Sequence, residues 1–282
     1  MSDNMRARLC LTALIAGLLL AAACSSGPPA PQMGTPPFYW QAAGETFRAG
    51  DYMKAADHLE QLCKKESEFT ERARPWHLVL TGGMAKGYME LGDAFEEGAR
   101  ANRANPTPFR RHANDLRTMA ARRSLQFAET FRDFAKHDHT KPVPLAFAFP
   151  AGSIAPIQDL GRISSGVPLP QTQIETIQAR SVERGVLRAV TAAVGALDDV
   201  AKAQSTFQAG TASVDHDTFA LAMATMLHDQ ATLFARDKLD MPDRMKLFCD
   251  QATEALKNMK ETKESKELAA KIQKTLKGPK GQ

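Results

Sequence analysis

The chain has 282 residues with 43% hydrophobic and 24% charged side chains and a formal net charge of +4. These values are ordinary for a folded protein and exclude a wholly disordered chain. The charge balance is too mild to argue for a nucleic-acid partner.

Arg6 and Arg8 precede Leu9 to Ala23, a run without a charged side chain, and three alanines lead into Cys24. A basic head, a short apolar run and small residues before a cleavage point make residues 1–23 a secretory signal. Fifteen residues are short of the ~20 that span a bilayer as a helix. The sequence Ala21-Ala22-Ala23-Cys24 resembles the lipobox of bacterial lipoprotein signals, with the leucine displaced to Leu20. The resemblance implies a thioether-linked lipid on Cys24 and several acyl chains, enough for a stable anchor in the bilayer. Ser25, not aspartate, follows Cys24, which favours the outer membrane over the inner. No other cofactor is expected.

The next stretch, Ser25 to Pro37, carries five prolines and two glycines in thirteen residues, so residues 24–37 read as the lipidated cysteine and a semi-extended tether. Beyond it, alanine, leucine, methionine, glutamate and lysine dominate, and alternating β-branched runs are nearly absent. The expected fold is all-α, with residues 38–136 forming an N-terminal helical region and residues 171–282 a C-terminal one. A helix over about Tyr39 to Ala49 breaks at Gly50-Asp51, and a second runs from about Tyr52 to Lys65, with Ala55, Ala56, Leu59, Leu62 and Cys63 on one stripe. Trp40, Ala43, Phe47, Gly50, Tyr52, Ala55 and Leu59 resemble a tetratricopeptide repeat, and a weaker echo runs from Ala85 through Gly92-Asp93 to Asn105-Pro106. The resemblance implies antiparallel helical hairpins, arranged as an α-α superhelix or as an irregular bundle.

A long helix is expected over 108–136, with Leu116, Met119, Ala120, Phe127, Phe131 and Phe134 inward. Arg110, Arg111, Arg117, Arg122 and Arg123 lie on its other faces, either solvated or facing an anionic glycan or headgroup. The segment 137–170 has six prolines, yet Val143, Leu145, Phe147, Phe149, Ile154 and Ile157 make it apolar. Such a loop either packs across the helical body or meets a ligand, partner or membrane. In the second case Phe147 and Phe149 are its anchors, and Arg162 donates to a carboxylate or phosphate. A further long helix is read over Gln171 to Gln208. The next, capped by Ser213 or Asp215, has Phe219, Met223, Met226, Gln230 and Phe234 on its inner face. Helices over Asp243 to Met259 and Glu264 to Leu276 follow, the last with a lysine-rich surface.

With Cys10 in the signal and Cys24 lipidated, Cys63 and Cys249 either remain free or bridge across about 190 residues, a link worth ~4 to 5 kcal/mol. His137-Asp138-His139 and Asp215-His216-Asp217 lack the spacing of zinc or calcium sites, so no metal is expected. No nucleophile elbow, phosphate loop or dinucleotide fingerprint occurs. The sequence therefore points to a non-enzymatic, periplasm-facing lipoprotein of the bacterial envelope that acts as an adaptor or assembly factor for another envelope protein. The second reading is a ligand-binding lipoprotein accompanying a transport system, with a cavity near Arg162. An envelope enzyme is the disfavoured third.

Overall fold

The structure, a computed structural model, describes residues 31–136, 141–207 and 210–277; residues 1–30 with Cys24, and His137-Asp138-His139, lie outside the described residues. The fold is all-α, with ten helices and one two-stranded sheet among the described residues.

Helices α1 (Pro36–Arg48) and α2 (Tyr52–Lys64) form the expected hairpin. Pro36 opens α1, where its missing N–H costs nothing. Gly50 ends it with φ +76°, and the Asp51 carboxylate accepts from the Lys54 amide at 3.1 Å to cap α2.

Helix α3 (Thr70–Ala101) is the centre of the molecule, packed against α2, α4 (Thr107–Phe134), α5 (Gln158–Ser164) and α6 (Gln171–Ala193). It is buried on nearly every face from Ala73 to Ala85, where the side chains are apolar or small apart from Arg74, His77 and Thr81. The weaker repeat echo is corrected here, because Gly92-Asp93 lies inside α3 and makes no turn. Gly92 serves packing instead: a Cβ there would lie 3.5 Å from Leu116 of α4, while Asp93 reaches out to Lys238 at 2.9 Å.

Helices α3 and α6 approach each other closely through glycines. A Cβ on Gly87 would lie 2.3 Å from the Ser181 carbonyl oxygen, and one on Gly185 would lie 2.1 Å from that of Gly83. Gly83 and Gly87 on one helix thus face Ser181 and Gly185 on the other. Both pairs have a four-residue spacing that puts small residues on one face.

The proline-rich segment packs across the helical body. Its strand β1 (Val143–Leu145) pairs antiparallel with β2 (Ala212–Val214), Val143 opposite Val214 and Leu145 opposite Ala212. The helix expected over 171–208 is two: α6 ends before Gly195 (φ +72°), and α7 (Val200–Thr206) starts from Asp199, whose carboxylate accepts from the Lys202 amide. The Ala196 amide donates to the Thr191 carbonyl and that of Gly195 to Ala192, the paired bonds of a glycine-stopped helix. The chain closes with α8 (His216–Ala231), a short 3-10 turn (Thr232–Phe234), α9 (Pro242–Lys257) and α10 (Lys263–Lys277).

Candidate functional site

The glycine-mediated approach of α3 and α6 leaves a smooth floor where other helix pairs would interdigitate long side chains. Helices α8 and α10 rise beside that floor and enclose a groove of about 740 Å³. This falls in the range of ligand sites, roughly 300 to 1,000 Å³. Its floor is Gly82, Gly83 and Gly185 with Ala189 and Ala192; Leu221, Met226 and Leu268 stand along its sides.

The walls are tied to each other. The ring of His228, on α8, meets the Thr275 hydroxyl of α10 at 2.9 Å, and burial pushes the His228 pKa down. The Lys260 amide, between α9 and α10, donates to Asp217 at 3.0 Å. At one end Lys86 bonds Asp229 at 2.9 Å, and Arg188 bonds Glu90 at 2.9 Å. Leu197 stands at the rim, 77% exposed, in a turn where it and Asp198 hold φ values of +40° and +65°. Two adjacent side-chain-bearing residues in the left-handed region store strain of the order of 1–3 kcal/mol each.

One polar side chain in the lining has no counterpart. Gln230 is 1% exposed, and neither its amide nitrogen nor its amide oxygen has a hydrogen-bond partner among the described residues. Leaving a buried donor or acceptor unpaired costs about 1–3 kcal/mol. Among the described residues no group of three or more His, Cys, Asp or Glu side chains is arranged to hold a metal ion. Asp215 caps α8 through the Thr218 amide, which pulls its pKa down, and His216 stacks on Phe134 with ring centroids 5.3 Å apart.

No protein-family model, no curated protein sequence and no solved structure matches this chain.

The loop residues singled out from sequence lie elsewhere. Phe147 is 9% exposed and sits among Trp40, Phe47 and Trp76 at centroid distances of 4.9, 5.1 and 5.5 Å, so its ring belongs to the core and is not available as a contact anchor. Phe149 is half-buried against Phe207 at 5.5 Å. Arg162 is exposed and pairs with Asp159 at 3.3 Å, and it does not line the groove.

Cys63 and Cys249 are free thiols, so the bridge considered between them is not formed. Cys63 is on α2, which packs on α1 and α3, whereas Cys249 is on α9, which packs on α8 and α10. Burial raises the thiol pKa values to about 12 and about 11, which keeps both protonated and unreactive. Of the arginines on α4, Arg123 is buried and bonds Asp57 at 3.0 Å, and Arg117 pairs with Glu96 at 3.4 Å; Arg110, Arg111 and Arg122 are exposed.

Sequence reasoning missed the floor glycines and, although it puts Gln230 on an inner face, the lack of a partner for its amide. The signal was present in both cases: a Gly-x-x-x-Gly spacing in Gly83 to Gly87, and a glutamine on the otherwise apolar face Phe219, Met223, Met226, Gln230, Phe234.

Proposed function

We propose that this protein is a lipid-anchored, non-enzymatic binding protein of the bacterial envelope, which holds a largely apolar ligand in the groove between α3, α6, α8 and α10. The observation that carries this reading is a 740 Å³ groove with an apolar floor and a buried, unpartnered amide in its lining. Of the two leading sequence readings, this favours the ligand-binding lipoprotein over the adaptor, whose proposed loop anchor Phe147 is taken up by the core. The resemblance of Ala21 to Cys24 to a lipobox supports the anchor, placed at the outer membrane facing the periplasm.

The groove reading is tested with Ala222→Phe, which puts a ring into the groove from the partly exposed face of α8. Native mass spectrometry of protein purified from envelopes is expected to show a bound small-molecule mass that the variant loses, with an unchanged melting curve in the absence of ligand. Equal occupancy of both proteins would overturn the assignment of the groove. The anchor has a separate test. Cys24→Ala is expected to move the protein from the membrane to the soluble fraction and to remove the acyl mass increment, and membrane fractionation unaltered by the substitution counts against lipidation.

A further inference from the structure

Resting on the groove reading, we infer that the ligand is an alkyl chain bearing an uncharged carboxamide, and that Gln230 is the residue that recognises the amide. A glutamine side chain offers one acceptor and two donors, and at Gln230 all are idle. A carboxylate accepts only, so it would use the donors of Gln230 and leave the acceptor oxygen facing a negative charge. A hydroxyl can donate to the amide oxygen and accept from the amide nitrogen, but only through a single oxygen atom, so both bonds are bent and weakened. A carboxamide matches both ends through two parallel bonds.

The charges of the groove discriminate in the same direction. Six carboxylates line it against four basic side chains; with Lys86 paired to Asp229 and Arg188 to Asp198, four carboxylates remain against Lys260 and Lys271. An anionic headgroup therefore meets a net repulsive rim, whereas a neutral one does not. The glycine and alanine floor, with Leu221 and Leu268 beside it, suits an unbranched chain better than a bulky ring system.

The amide of Gln230 is closed to solvent, and Met226 stands beside it in the groove lining. Met226 stands one helical turn before Gln230 on the same face of α8, and its sulfur leans onto α3, 2.9 Å from where a Cβ on Gly82 would be. Methionine is unbranched and repacks readily, so movement of this side chain is the route by which the inferred headgroup would reach Gln230.

The test compares decanamide, decanoate and decanol by isothermal titration calorimetry on wild type, Gln230→Met and Ala222→Phe. Decanamide is expected to bind wild type at least about tenfold more tightly than decanoate or decanol. Gln230→Met is expected to abolish that preference, the affinity for decanamide falling to that for decanol or below it. The same variant is expected to melt at a higher temperature than wild type without ligand, because it removes two unpaired buried groups at nearly constant volume. A merely structural glutamine predicts the reverse, a less stable variant. The inference is overturned if decanoate binds as tightly as decanamide, if Gln230→Met retains the preference for the amide, or if it melts lower. The two levels separate cleanly. If all three alkyl probes bind alike and Ala222→Phe blocks them all, the groove reading stands and the amide recognition fails; if none binds wild type, both fail.

Discussion

Replacing Gly87 by alanine is expected to lower the melting temperature by roughly 6 to 12 °C. The added carbon would lie 2.3 Å from the Ser181 carbonyl oxygen, 2.7 Å from its carbonyl carbon and 3.0 Å from the Val182 Cα. All three are backbone atoms in the middle of α6, so no rotamer change relieves the contact, and α3 and α6 must separate. Overpacking a rigid site of this kind costs about 3 kcal/mol or slightly more, and in a chain of this length each kcal/mol shifts the midpoint by about 2–4 °C. Because the same crossing makes the floor of the groove, ligand binding is expected to fall with stability. Gly44→Ala is the control. It too places a methyl group in a helix, but its nearest neighbour is the Phe147 ring at an ordinary 3.6 Å, and alanine is the better helix former by about 1 kcal/mol. Circular dichroism melts should therefore move in opposite directions for the two substitutions. Equal shifts would mean that α3 and α6 do not cross on their glycines.

The contrast between these two glycines explains how much of the fold was legible in the sequence. Local physics carries the helices: apolar spacing along Ala55, Leu59 and Leu62, and caps such as Asp51, place α1, α2 and α4 within a few residues of their observed limits. A glycine has two meanings that its neighbours in sequence do not separate. Gly50 stops a helix by adopting positive φ, whereas Gly92, in an identical Gly-Asp pair, continues one and accommodates α4. Helical periodicity runs through Gly195 unbroken, although Val-Gly-Ala-Leu-Asp-Asp provides both the stop for α6 and the cap for α7. The choice depends on tertiary packing, which periodicity does not report.

The candidate site was less legible still. Phe147 and Phe149 attracted interest because apolar side chains in a proline-rich segment must be buried somewhere, and the aromatic cluster of Trp40, Phe47 and Trp76 supplies that place for Phe147. The floor of the groove is built from glycine and alanine, residues whose contribution is the absence of bulk, and absence of bulk leaves little trace in a composition or a motif. Gln230 was the exception. It falls on the apolar stripe of Phe219, Met223, Met226 and Phe234, and a buried amide among them poses the question of its partner without any structure.

Acidification is expected to destabilise the protein from pH 6.5 downwards, with His77 supplying the slope. His77 is 1% exposed on α3, its Nδ1 2.8 Å from the Thr130 hydroxyl and its Nε2 without a partner among the described residues. Burial, assisted by the charges of Arg123 and Lys64, pulls its pKa down from 6.5 to about 3. Between those values the unfolded chain takes up a proton that the folded protein refuses. The stability conferred by neutral His77 is therefore fully present above pH 6.5 and drains away as the pH falls towards 3, at a slope approaching about 1.4 kcal/mol per pH unit. Over two pH units this amounts to roughly 2–3 kcal/mol, a large share of the stability of an ordinary domain. Asp51 and Asp215, whose pKa values are lowered, act in the same sense only near and below pH 4. His228, also lowered by burial, adds to the slope, so the comparison must be made against a variant. In His77→Gln, a neutral side chain retains a hydrogen-bonding group near Thr130 and cannot titrate. Urea unfolding at pH 7.5, 6.0 and 4.5 is expected to give converging stabilities, the variant being weaker at pH 7.5 and losing less on acidification. Parallel pH dependences for the two proteins would show that His77 exchanges its proton with solvent in the folded state and is not held neutral by the core.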